Sequence, residues 1–124
     1  MLRDDVFSFV QDTYGVQPES PWAKYPEDMV LRHLNNKKWF GLLMTVNACV
    51  LGLDRDEQVD ILNVKCEPEE IDFLSQQKGF MHGYHMNKRH WLTILLDGSV
   101  EFDMICSFIT HSFELTAPKI KKKK

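Results

Sequence analysis

The chain has few cysteines, no long apolar run and little positive charge outside one short segment. Cys49, Cys66 and Cys106 are the three cysteines among 124 residues, set 17 and 40 positions apart with no CxxC pair. A sparse, odd set argues against a disulfide framework and fits a reducing compartment, with each thiol a small buried hydrophobe. No apolar stretch reaches the roughly 18 residues that a transmembrane helix needs. The opening Met1-Leu2-Arg3-Asp4-Asp5 sets acids where a secretion signal carries bases, and no apolar segment follows. A cytoplasmic protein without membrane contact is expected. Nucleophile-elbow, glycine-rich phosphate-loop and H-E-x-x-H motifs are also absent, so neither enzymatic activity nor a cofactor is expected.

The formal charge of −3 hides an asymmetry. Of 15 bases, five are lysines in the stretch Lys119-Ile120-Lys121-Lys122-Lys123-Lys124. Residues 1–118 therefore hold 10 bases against 18 acids, a charge of −8. Phosphate attraction supplies most non-specific affinity for nucleic acid, so a body this acidic can bind it only through a local patch or the tail. An apolar fraction of 44% and this length suit one globular domain with one core. We assign residues 1–118 to that domain and 119–124 to a disordered lysine-rich tail, and expect a monomer.

Leu2, Val6, Phe9, Val10 and Thr13 recur at helical spacing behind Asp4 and Asp5, which predicts a helix over 2–14 stopped by Gly15. Pro18 to Pro26 carries three prolines and admits only a short or edge strand. Strands are predicted over 29–34 and 38–46, joined by a turn whose Asn35-Asn36 pair suits positive φ. A loop over 47–58 leads to a strand over 59–66. Pro68, Glu69 and Glu70 open a short second helix that ends before Gly79. Two more strands cover 80–86 and 90–96. After the turn Asp97-Gly98-Ser99, a helix capped by Ser99 spans 100–113, with Phe102, Ile105, Phe108, Ile109 and Phe113 on its apolar face. This order predicts an α+β fold, a two-layer sandwich of antiparallel sheet backed by N- and C-terminal helices, whose other sheet face meets solvent or a partner.

Gly83-Tyr84-His85-Met86-Asn87-Lys88-Arg89-His90-Trp91 is the densest chemical feature. It gathers two histidines, two cations and two aromatics, and the nearest acids are Asp72 and Asp97. Read as a hairpin, it projects Lys88 and Arg89 from its tip, as the earlier hairpin presents Lys37 and Lys38. Two basic tips suit a phosphate grip: lysine and arginine neutralise phosphates, while Asn87, His85 and His90 donate hydrogen bonds. The bland alternative is an ordinary polar turn with Trp91 in the core.

Several segments in one order resemble the MmcQ/YjbR family: Pro21-Trp22, Arg32-His33-Leu34, Lys38-Trp39-Phe40, Lys65-Cys66-Glu67-Pro68, the run from Gly83 to Trp91, Leu96-Asp97-Gly98-Ser99, and Ser112-Phe113-Glu114-Leu115. They span roughly residues 14–116. The resemblance implies a fold similar to CyaY/frataxin-like domains and a DNA-binding protein with a double-wing arrangement of strands and loops.

Other constellations favour plainer readings. His82 and His85 on one strand point to opposite faces, so they do not chelate one ion, and no metal is expected. The eight acids from Asp54 to Asp72 read as a solvated loop and helix-start acids. Cys66 is accounted for by burial. The leading expectation is a DNA-binding protein without enzymatic activity, its site Lys37, Lys38, His85, Asn87, Lys88, Arg89 and His90. The alternative is a protein-interaction or small-ligand module on the exposed sheet face, anchored by Trp22, Trp39, Tyr84 and Trp91.

Overall fold

The computed structural model describes residues 2–118. The lysine tail, expected to be disordered, lies outside the described residues. Nine elements follow one another: α1 (Leu2–Tyr14), β1 (Met29–Arg32), β2 (Trp39–Asn47), a 3-10 turn (Ala48–Leu51), β3 (Gln58–Lys65), α2 (Pro68–Leu74), β4 (Phe80–His82), β5 (Trp91–Leu95) and α3 (Phe102–Thr116). The strands form one antiparallel sheet in the order β1-β2-β3-β5-β4. The predicted α+β class, with antiparallel sheet and helices at both chain ends, is the class observed.

All three helices pack on one face. Val6 and Val10 of α1, Ile71 of α2, and Ile105 and Ile109 of α3 close on Leu31, Phe40, Leu43, Leu62, Leu92 and Ile94 from the sheet. Thr13, assigned to the stripe of α1, is exposed. Gly15 ends α1 at φ 66°, its amide bonded to the Gln11 carbonyl at 2.9 Å.

Strict alternation along β2 would put Phe40, Leu42 and Met44 on one face. The pairing prevents this. Arg32 opposes Trp39 and Leu31 opposes Gly41, so Phe40 is an extra residue, a β-bulge. Phe40 and Leu43 thereby reach the helix side, while Trp39, Leu42 and Met44 share the other face. Gly41 beside the bulge has no room for a side chain: a Cβ there would lie 2.8 Å from Leu31 Cδ1.

Three expectations need correction. Ser99 does not cap α3. The helix starts at Phe102 behind Glu101, which makes no side-chain cap bond, because the Ser99 amide is held in the preceding turn by Asp97 Oδ1 at 2.9 Å. It runs on to Thr116, since the end of α3 is tied to the β1–β2 turn: Thr116 Oγ1 meets His33 Nε2 at 2.8 Å, and Asn36 Nδ2 donates to the Thr116 carbonyl at 3.1 Å. β4 stops at His82 rather than Met86, because Gly83 closes against Trp91, where a Cβ would come within 2.8 Å of the Trp91 Cβ.

The second sheet face is not bare. The segment expected to be loop opens with the 3-10 turn, capped by Asn47, whose side chain accepts from the Cys49 amide at 3.0 Å. The turn covers a small cluster of Ala48, Val59, Ile61 and Leu95, joined by Met44, Val46 and Met81.

Chain direction fixes the ends. β1, β3 and β4 run one way, and β2 and β5 return. The β1–β2 turn (33–38) and the β4–β5 loop (83–90) therefore leave the same end of the sheet, here the upper end. The C-termini of β3 and α3 reach it too.

Candidate functional site: two hairpin tips and an aromatic groove

The first tip is short and braced from below. The His33 amide donates to the Lys38 carbonyl at 2.9 Å, and the Lys38 amide donates to Asn36 Oδ1 at 3.0 Å. Positive φ falls on Lys37, at 64°, and not on either asparagine. With Asn36 committed to Lys38 and Thr116, the left-handed step passes to the next residue. Lys37 and Lys38 are exposed, with no ion pair among the described residues. Beneath them His33 is buried, its ring 5.3 Å from Phe40 and 4.2 Å from Phe113. Burial pushes its pKa below the ordinary histidine value, which the neighbouring Lys38 charge reinforces. Neutral at pH 7, it braces the turn through Thr116 Oγ1.

The second tip is longer and is held by the sheet. Thr93 Oγ1 accepts from the Tyr84 amide at 2.8 Å and donates to Asn63 Oδ1. Asn63 Nδ2 donates to the Tyr84 carbonyl at 3.3 Å. Asn63 and Thr93 are fully buried, so this small network fixes Tyr84 at the root of the loop. Further out, Asn87 Oδ1 accepts from the Arg89 amide at 2.9 Å, and the Asn87 carbonyl accepts from the His90 and Trp91 amides at 3.1 and 3.0 Å.

This arrangement changes the expected roles. Arg89 and His90 are exposed, with no side-chain partner among the described residues. Lys88 does not project as expected: its ammonium turns back to the Gly83 carbonyl at 3.0 Å, leaving its charge at the upper end but spending one donor on the loop. Asn87 spends its oxygen closing the turn. His85, at φ 59°, leaves the tip and packs edge-on against Tyr84 at 4.2 Å, facing a groove instead. His82 turns to Ser75 Oγ, 3.3 Å away.

Lys65, which the sequence reading passed over, ends β3 between the tips with its ammonium 5.6 Å from the centroid of the Trp91 ring. Trp91 is only 9% exposed. It cannot anchor a partner as the alternative reading required. At the other end of the sheet Arg55 pairs Glu57 at 2.8 Å and Asp97 at 3.0 Å, and Arg3 pairs Asp60 at 3.3 Å, while Glu67, Glu69 and Glu70 follow Lys65 at the upper end.

One mixed cluster has metal-ligand chemistry. Donor atoms of Cys66, Glu67 and Glu70 lie within 4.8 Å of one another, and Glu67 pairs His111 at 2.6 Å. Burial, with Glu70 and Glu67 adding, pushes the Cys66 thiol up to about 11. At neutral pH it is protonated and unsuited to nucleophilic attack.

On the face away from the helices, the proline-rich segment and the second tip enclose a groove of about 320 Å³. Trp22 and Trp39 form one corner, their rings 5.9 Å apart and inclined by 76°. Tyr25, Leu42, Met44, Met86, His85 and Asp28 complete it. Tyr25, Asp28 and Met44 were not foreseen, because the bulge that turns Trp39 toward Met44 is a pairing feature with no local signature. The proline-bounded Trp22 and Tyr25 were the available hint.

The YjbR family model matches residues 11–115. The chain is 45% identical over 116 residues to the uncharacterised protein YyaQ of Bacillus subtilis, spanning 94% of this chain and 98% of that one. A crystal structure of a Pseudomonas syringae protein superposes with a TM-score of 0.91 at 40% identity, covering 94% of this chain and 99% of that chain. A Deinococcus radiodurans protein with a DUF419 domain superposes with a TM-score of 0.71 at 25% identity, covering 98% of this chain and 82% of that one.

Proposed function

This chain belongs to the YjbR family, and we propose that it is a cytoplasmic, non-enzymatic nucleic-acid-binding protein that grips phosphates with the upper end of its sheet. One observation carries the reading: both basic tips leave the same end, with Lys65 between them. Neighbouring strands lie about 4.8 Å apart, so the two hairpins are separated by roughly 14 Å across the sheet, comparable with the ~12 Å width of a DNA major groove. On this reading the two hairpins are the wings of a double-wing binder, and the sheet with its helices is CyaY-like. Lys37, Lys38, Lys65, Lys88 and Arg89 supply the charge, with Asn87 and His90 as hydrogen-bonding neighbours. The C-terminal end of α3 lies at this same end, tied to the first tip.

Fluorescence anisotropy of labelled duplex DNA across a salt series tests the proposal, using full-length protein and a chain ending at Pro118. Five engaged cations predict a log–log salt slope of about −4.5. Lys88→Glu with Arg89→Glu is expected to abolish binding while leaving the circular-dichroism spectrum unchanged. Binding that disappears with the tail, or survives that double change, overturns the assignment to the tips.

A further inference from the structure

The groove beside the second tip has its own chemistry. Three aromatic rings, Trp22, Trp39 and Tyr25, and two thioethers, Met44 and Met86, surround a single carboxylate, Asp28. Among the described residues no lysine or arginine lines it, and His85 is its one basic group. We propose that this groove binds a small organic cation, an alkylated ammonium, with its charge against Asp28 and its alkyl groups against the indole corner. The proposal stands apart from phosphate binding at the tips and needs none of their cations.

Three observations favour this occupant. The Trp22–Trp39 pair, inclined by 76° at 5.9 Å, lines the groove together with Tyr25, and a cation over the face of an aromatic ring is attracted by its quadrupole. Trp22 is 38% exposed although it is large and apolar, so a ligand would cover surface that the fold leaves in water. Asp28 is half-buried, and its burial outweighs the help it receives from the Thr45 amide and the Arg3 guanidinium, raising its pKa. A carboxylate whose desolvation is only partly offset attracts a further cation and repels an anion. A neutral apolar guest would deepen its desolvation. The protein's own ammonium groups already visit such rings: Lys24 lies 5.9 Å from the Tyr25 centroid, and Lys65 lies over Trp91. A strongly hydrated lysine is a poorer guest than an alkylated ammonium, whose charge sheds its water at less cost.

The test compares choline with its uncharged carbon isostere, 3,3-dimethylbutan-1-ol, on the full chain. Titrations followed by the indole N–H signals of Trp22 and Trp39 report the site directly. Choline is expected to bind about tenfold more tightly than the isostere, and to move both signals. Asp28→Asn should cut that preference to the smaller part that the aromatic rings supply while leaving the weak isostere binding unchanged. Trp22→Ala should weaken both guests, and because Trp22 sits on an exposed segment its far-UV spectrum should match wild type. Equal binding of the two guests, or choline shifts confined to signals outside the groove, overturns the proposal. So does an Asp28→Asn variant that retains the full preference.

Discussion

The two hairpin tips stand at the same end of the sheet and are held there by different means. The first is a six-residue turn resting on a helix end: a buried neutral histidine and one asparagine tie it to Thr116 of α3. The second is an eight-residue loop resting on the sheet itself, through Asn63 and Thr93 on the face without helices. The first depends on tertiary packing between layers, the second on a polar network inside one layer. The same presentation of basic residues thus has two structural supports, and each can be removed without touching the other.

The largest effect is expected from Thr93→Val. The substitution nearly conserves volume but removes the hydroxyl that serves both the Tyr84 amide and Asn63. Two buried polar groups lose their partner, a cost of about 2–3 kcal/mol in urea unfolding. Hydrogen exchange at the Tyr84 amide should accelerate, while the Lys38 amide in the first tip stays protected. Equal acceleration at both would show that the supports are coupled.

A smaller effect should follow pH and act on the first tip. The folded pKa of His33 is lowered from its ordinary 6.5 by burial. The unfolded chain takes up that proton first as pH falls. Stability linked to His33 is therefore complete above pH 6.5, declines as pH drops from there to the folded pKa, and levels off below it. His33→Gln should remove this part of the pH dependence of the unfolding free energy. If wild type and variant keep the same slope between pH 7 and pH 5, a range bracketing the ordinary histidine value, the buried-neutral assignment is wrong.

These supports also mark what was legible in the chain. Helical spacing, the acids in first turns and the run of apolar β2 residues placed every helix and strand, because each is a local pattern repeated over several residues. Ends were misjudged where a distant partner decides them: Thr116 continues α3 because His33 lies across from it, and β4 stops because Trp91 crowds Gly83. The site was read by residue type and only partly by position. Lysine and arginine at turns announced the tips, but nothing adjacent in sequence says that Lys88 folds back on Gly83 or that Lys65 ends between the tips. The groove depends on the bulge at Phe40, a mismatch between two strands that neither strand carries alone.

The two cations of the second tip should also differ in how they respond to removal. Lys88 has one donor tied to the Gly83 carbonyl, whereas Arg89 has no recorded side-chain partner among the described residues. Arg89→Ala is expected to weaken duplex binding more than Lys88→Ala, with the salt slope losing about one unit for Arg89 and less for Lys88. Equal losses would mean that the Lys88 bond opens on binding.

The smallest effect separates stability from binding at a single residue. Lys37 carries φ 64°, a left-handed conformation that glycine adopts without a Cβ clash. Lys37→Gly removes that strain, and the gain is reduced by the greater freedom glycine has in the unfolded chain, leaving a net stabilisation of about 0.5 kcal/mol. The same substitution deletes one exposed charge from the first tip. The variant should therefore melt slightly higher and bind duplex DNA less tightly, a combination that neither general unfolding nor a purely structural turn produces. A lysine kept in a strained backbone position for its charge predicts both shifts together. A higher melting temperature with unchanged affinity would assign the phosphate contacts to the second tip and leave the first as a brace.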